Sequence, residues 1–383
     1  MKVRKGVFGA VLLLCATLCM TNVTALADDG THTHPICGTT HTDIGDHTGE
    51  CADVVWTAWD GTSDIDYGDD NTAYVYLSGN AERNEQFAVK DGKTLYLCLN
   101  GYNITRTTDS TDAFDAVIRV YGGAQLVLCN CKGSGTITHS AGVYGRGVRL
   151  GDSSSTGDFI MYGGEISGNR IDISAHSAAA GDGAGVESQQ SDFTMYGGKI
   201  TNNHVIKGSS NEGGGVNMHT GGTFTMYGGE ISGNACSDTG GGISAGTYLK
   251  LYGGTISNNT ADKRGGGVFT NMTLTISDGI TITGNKSEQG GGIYTYDEDI
   301  TINGGNITGN TATYGGGVYH IGDYRTCDTL TISGSATITG NTATDGGGVY
   351  VESGKNTSTW NKGQGALQIN GGSITNNTAT GNG

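Results

Sequence analysis

The densest set of side chains able to do chemistry sits early in the chain. His32, His34, Cys37, His41, His47 and Cys51 put four of the nine histidines and two cysteines into 20 residues. The spacing Cys37-x3-His41-x5-His47-x3-Cys51 offers two thiolates and two imidazoles to one tetrahedral Zn²⁺. Four protein ligands leave no open coordination position, so such a zinc would be structural. A Cys37–Cys51 disulfide competes with it in an exported protein, as does a solvated segment without either.

Carboxylates supply a second set. Asp64, Asp66, Asp69 and Asp70 could approach Ca²⁺, but they lack the spacing of an EF-hand and read more simply as a solvated acidic loop. A glycosidase needs two carboxylates roughly 5 to 10 Å apart, and a lyase needs a base, usually with calcium. Asp297, Glu298 and Asp299 form the dense carboxylate patch of the repeated region, with no recurring Arg or Lys beside it. No ordered set of Asn-Thr-Asp, Asp-Asp, Gly-His-Gly and Arg-Ile-Lys motifs follows, so Asp297 reads as an exposed turn residue and no catalytic residue is assigned. The glycine runs also lack the Asp of calcium-binding nonapeptides, because Val or Ile follows them.

The third set is aromatic. Tyr162, Tyr196, Tyr227 and Tyr252 recur at one equivalent position, and Phe269, Tyr294, Tyr319 and Tyr350 at another. Two exposed columns of rings are expected, able to stack on the sugars of an extended glycan. The competing role is to cover backbone and strengthen the sheet.

Columns require elements that repeat, and the chain supplies them. The phrase Gly-Gly-Gly-(Val/Ile) ends in Val216, Ile243, Val268, Ile293, Val318 and Val349, at spacings of 27, 25, 25, 25 and 31 residues. Beside it runs Ile-x-x-Asn, whose asparagines are Asn169, Asn203, Asn234, Asn259, Asn285, Asn310, Asn341 and Asn377. Between the two phrases, pairs such as Phe159/Met161, Phe224/Met226, Ile300/Ile302 and Leu367/Ile369 alternate with Thr or other polar residues, the period of half-buried strands. One coil cannot bury its own apolar face, so coils must stack through parallel pairing. The asparagines are expected to form a structural ladder at one corner, where Gly and Asn tolerate positive φ.

The fold expected is therefore all-β: a right-handed parallel β-helix of about 10–11 coils, three short strands per coil, roughly 50 Å long by strand spacing. Its boundaries read as 72–383, with 28–71 as a His/Cys-containing segment and small N-terminal cap that Trp56 and Trp59 would plug. Thr94–Leu99 and Ala124–Cys129 repeat at 31 residues, stacking Cys98 on Cys129, although in-register parallel stacking is poor disulfide geometry. Compared with the place after Asn341, the chain after Asn377 stops before its Gly-Gly-Gly strand, so a truncated last coil is expected.

Composition agrees. Of 383 residues, 70 are Gly and one is Pro, which disfavours an ordinary helix-bearing domain. Lys2, Arg4 and Lys5, an apolar run from Val7 to Met20, and Ala25-Leu26-Ala27 have the three parts of a signal peptide over 1–27. Its removal leaves 18 basic against 37 acidic residues, a net charge of −19, which repels nucleic acid and anionic membrane. No membrane span is expected in the mature chain. Seven cysteines remain, an odd number and no dense disulfide framework.

Gly-Gly-Gly-(Val/Ile) and Ile-x-x-Asn, over residues 137–383, resemble the paired motifs Gly-Gly-Ala-(Ile/Leu/Val) and Phe-x-x-Asn of the chlamydial polymorphic outer membrane protein repeats. Gly replaces Ala and Ile replaces Phe, and neither an autotransporter barrel nor a sorting motif is visible. The resemblance implies a secreted or cell-surface, non-catalytic adhesin-like scaffold, contacting glycans or surface proteins. A polysaccharide lyase or glycoside hydrolase of the β-helix type is the alternative.

Overall fold

The computed structural model describes residues 56–110, 115–172, 174, 182–207, 211–296, 298–322, 328–353 and 366–382, with the backbone of two short strands, His32–Thr33 and Thr40–His41, that pair antiparallel. The described chain is all-β, and none of its helices, there being none, could cross a membrane. From Thr57 onward every ladder between strands is parallel.

Alternation of Leu, Ile, Phe or Met with Thr builds the first ladder, because it puts one apolar face inward on each rung. It runs through Thr57–Trp59, Thr72–Leu77, Thr94–Cys98, Ala124–Cys129, Gly157–Met161, Phe193–Met195, Thr223–Met226, Tyr248–Ser257, Leu274–Thr283, Ile300–Ile302, Thr329–Ile332 and Ala366–Ile369, twelve rungs in all. Thr57–Trp59 carries no repeat phrase, so the ladder starts ahead of residue 72 and exceeds the 10–11 rungs read from the repeats. A second ladder, from Ala81–Arg83 to Ser373–Thr375, belongs to the same sheet and carries the Ile-x-x-Asn isoleucines. A ten-stranded sheet, from Phe87–Val89 to Val349–Ser353, carries the residues after Gly-Gly-Gly.

The core lies between these faces. Ile256 pairs with Ile282 and Ile282 with Ile307, and all three are fully buried. Phe159, Phe193 and Phe224 stack inside at centroid spacings of 4.8 and 4.6 Å. Each such side chain contributes roughly 1.5–3 kcal/mol by leaving water. At the first rung Trp59 is buried in the core against Phe87 at 4.9 Å, whereas Trp56, expected to plug the end with it, packs against Tyr74 in a cluster separate from the core. At the last described rung Leu367 and Ile369, expected inward, are 42% and 57% exposed, because no described residue stacks beyond them.

Two details correct the expectations. A fourth, shorter ladder follows the asparagine corner, pairing Arg170–Asp172, His204–Lys207, Ala235–Cys236 and Thr260–Ala261, then resuming at Thr311–Tyr314, Thr342–Asp345 and Thr378–Ala379. Rungs of two to four residues are too short to show a period, which hides them in the sequence. The ladder asparagines are also not the residues at positive φ. That conformation belongs to the residue before each of them: Gly168 (71°), Asn202 (55°), Gly233 (63°), Asn258 (55°) and their equivalents.

The glycine triplet has a steric cause. Its first member takes positive φ, as at Gly265 (63°). Its third member faces the asparagine corner: a Cβ on Gly267 would stand 2.6 Å from the Gly292 carbonyl and 3.0 Å from Asn285 Nδ2. The two repeat phrases thus explain each other, since the amide ladder occupies the space a side chain would need.

Candidate functional site

The eight asparagines form one continuous ladder. From Asn169 to Asn341, each donates its backbone N–H and one side-chain N–H to Oδ1 of the next, at 2.9–3.1 Å. From Asn203 onward the other side-chain N–H reaches the isoleucine carbonyl of the preceding rung at 2.8–3.0 Å. Asn169 through Asn341 are buried, and their amides are used up in holding neighbouring rungs. Their chemistry is structural. His139 closes the upper end, with Nδ1 2.8 Å from Asn169 Oδ1. Burial pulls the His139 pKa down to about 4, and the nearby Arg106 adds to the effect.

The aromatic columns form as well, with less exposure than their spacing promised. Tyr162, Tyr196, Tyr227 and Tyr252 stack at 4.9, 5.0 and 5.3 Å and are half-buried. Phe269, Tyr294, Tyr319 and Tyr350 stack at 5.4, 5.0 and 5.2 Å, with Tyr294 and Tyr319 only 5% and 2% exposed. Because rings in these columns lie nearly parallel, they cover one another's faces. What they present outward is edges and hydroxyl groups. Burial, with the Glu352 carboxylate that accepts its hydroxyl, pushes the Tyr319 phenol well above its usual range.

The first column ends at Tyr252. Ser277 and Asp278 stand opposite it on the next rung, displaced by the bulge after Leu251. A shallow depression of about 340 Å³ opens there on the outer face, lined by Thr273, Thr275, Ser277, Asp299, Thr301 and Asn303 among others. Tyr248, 53% exposed, and Lys250 flank it from the preceding rung. Asp299 also accepts the Thr329 N–H at 2.7 Å, so it is an anchored rim residue; Glu298 lies beside it, and Asp297 falls outside the described residues.

Sequence reasoning missed a buried ionic cluster. Glu187 contacts Arg146 and Arg149, and His219 Nε2 lies 3.2 Å from its other oxygen. Arg149 and Glu187 face each other in register on the ten-stranded sheet, followed by Asn217. Burial opposes ionisation of Glu187, but the two guanidinium groups outweigh it and hold the carboxyl down to about 2. Glu187 in turn raises His219. Nearby Glu212 is shifted upward instead, by burial and by Asp182. Writing the rungs in register would have revealed the cluster, because its members are spread over three coils. One rung earlier Arg106 grips Asp115, a buried bidentate pair whose second contact is 2.7 Å.

The metal candidates fare unevenly. Cys37, His41, His47 and Cys51, like His32 and His34, have side chains outside the described residues; only the pairing of His32 with His41 along the backbone is in view. Asp64, Asp66, Asp69 and Asp70 are exposed, with Asp66 accepting the Gly68 N–H at 3.0 Å. Among the described residues, the thiols of Cys98, Cys129 and Cys131 come within 4.8 Å of one another.

No protein-family model matches the chain, and no match is found among curated proteins or among solved structures.

Proposed function

We propose that the chain is a right-handed parallel β-helix, secreted or exposed at the cell surface, that serves as a non-catalytic adhesin-like scaffold contacting glycans or surface proteins. The long parallel sheets, their common register and the shared core support a coiled stack, and the right hand follows from the general preference of parallel crossovers. The resemblance of its two phrases to the chlamydial surface repeats supports the adhesin-like role.

The observation that carries the reading is the end of the ring column at Tyr252. Every earlier ring of that column is covered by the next one, whereas Tyr252 is followed by a rung of hydroxyl, carboxylate and amide groups around the depression. Thr275, Ser277, Thr301 and Asn303 in the lining offer a sugar hydrogen bonds, and Tyr252, one rung before Ser277 and outside the lining itself, is the nearest ring of the column to supply an apolar contact. A glycan-array screen beside a reducing-sugar release assay tests it. Binding without release, weakened by Tyr252→Ala and by Asn303→Ala, is the expected result. The absence of binding to any glycan, with both variants behaving as wild type, would discard the glycan part of the proposal.

The enzymatic alternative has one observation in its favour. Glu187 and Glu212 are shifted in opposite directions near His219, the pattern of a paired base and acid. Glu187, however, is ion-paired on both sides and 3% exposed, which suits a structural charge better than a catalytic one. Sugar release abolished by Glu212→Gln would reverse the choice.

A further inference from the structure

The first column of the outer face does not consist of rings throughout. Tyr76, Cys98 and Cys129 follow one another in register, and Tyr162 continues the column one rung on. At two successive rungs, thiols therefore stand where rings would be. A third thiol enters from the turn just past the strand, where Cys131 Sγ lies 3.1 Å from Cys98 Sγ. Trp56, Tyr74, Tyr76, Tyr96 and Tyr162 pack around the group as an apolar cluster separate from the main core.

Geometry ranks the three pairings. Cys98 and Cys129 are in register, so their parallel Cβ vectors sit near the strand spacing of about 4.8 Å, beyond the roughly 3.5–4.5 Å a disulfide accepts. Cys129 and Cys131 are two residues apart at the end of one strand, about 6.6 Å between Cα atoms if extended, at the upper limit of disulfide geometry. Cys131 and Cys98 escape both restrictions, because Cys131 lies beyond the strand end and turns back over the preceding rung. Coordination points the same way: among the described residues the group holds three thiols, one short of the four protein ligands of a structural zinc site.

We propose that Cys98 and Cys131 are an oxidisable pair whose disulfide staples two neighbouring rungs, while Cys129 stays reduced. The oxidant is a low-molecular-weight disulfide. Cys131, the half-exposed member, attacks it as thiolate and expels one thiol; Cys98 then attacks the Cys131 sulfur of the mixed disulfide and expels the second. Two protein thiols lose their protons and two electrons, and the oxidant leaves as two thiols. Burial pushes the Cys131 and Cys129 thiols well up, which makes the exchange slow and the finished bond hard to reduce.

The test is equilibration of the full chain with oxidised glutathione, followed by alkylation in denaturant and peptide sequencing by mass spectrometry. The expected product links Cys98 to Cys131 with Cys129 alkylated. It also raises the thermal midpoint by several degrees over the reduced protein. Cys129→Ser should keep the link and the shift, and Cys131→Ser should lose both. Because Cys131 lies in a half-exposed turn, that variant should fold; the oxidised and reduced wild type give the same comparison without any substitution. Three alkylatable thiols after oxidation, a link through Cys129, or a stoichiometric metal that leaves with Cys129→Ser would each overturn the proposal.

Discussion

Asn259 gives its backbone N–H and one side-chain N–H to a single atom, Oδ1 of Asn285, at 2.9 and 3.0 Å. The second side-chain N–H of Asn285 meanwhile reaches the Ile256 carbonyl at 3.0 Å, and its first reaches Asn310. One amide thus joins three rungs, and each of its buried groups has a partner. In a low-dielectric corner such a network stabilises mainly through what its loss would leave unmet.

Removal of one link should therefore cost more than one hydrogen bond. Asn285→Ala strands two donors on Asn259 and the Ile256 carbonyl, for a loss of about 2–4 kcal/mol. Asn285→Asp preserves shape and the acceptor but turns an oxygen towards Ile256 O and Asn310 Oδ1, so it should be at least as damaging. Denaturant titration checks both, with Asn306→Ala, at an exposed strand position, as a near-neutral control.

Glycine substitutions should separate by position. Gly267→Ala places a methyl group 2.6 Å from the Gly292 carbonyl oxygen and against the Asn285 amide, and backbone cannot yield there without parting the rungs. A loss on the order of 1–3 kcal/mol is expected. Gly79→Ala meets nothing within 4 Å and carries no positive φ, so it should be neutral or slightly stabilising. Equal effects at both positions in thermal unfolding would remove the steric account of the triplet.

These pairs show what was legible in the residues and what was not. The period, the inward isoleucines and the asparagine corner were readable because each is local and recurs. The reason for the third glycine was not, since it lies in contacts of Gly267 with Asn285 and Gly292, both on the next coil. Cys131 was invisible for a related reason: its approach to Cys98 depends on a turn whose path no periodicity encodes. The aromatic columns were placed correctly, but ring-on-ring packing and the neighbouring corner bury Tyr294 and Tyr319, and exposure cannot be read from spacing alone.

Stability should fall on mild acidification. His139 has its folded pKa at about 4 against an ordinary 6.5, so between those values the unfolded chain binds the extra proton. The stabilisation is complete above about pH 6.5 and is lost as pH falls towards 4, by roughly 3 kcal/mol over the window. Burial shifts His204 and His320 in the same direction. His139→Gln keeps a donor for Asn169 and should flatten part of the pH dependence of the denaturation midpoint. An unchanged profile would mean that the imidazole titrates normally in the folded protein.

Glu187 should matter to stability more than to any turnover. Its carboxylate stands between Arg146, which is fully buried, and Arg149, so Glu187→Gln leaves two guanidinium groups without their counter-charge. Breaking a buried pair from one side costs about 3–5 kcal/mol, far more than an exposed pair such as Lys199–Glu230 contributes. The folded pKa of about 2 lies below the ordinary value of 4.5, so the stabilisation is present above pH 4.5 and is lost as pH falls through 2. Glu187→Gln should therefore lower the midpoint at neutral pH and remove this part of the acid sensitivity. Denaturation at pH 7 and near pH 3 measures both effects, and Lys199→Ala supplies the exposed comparison. A Glu187→Gln protein as stable as wild type at both pH values would show that the carboxylate is not holding the two arginines, and would make its burial beside His219 a reason to look for chemistry there.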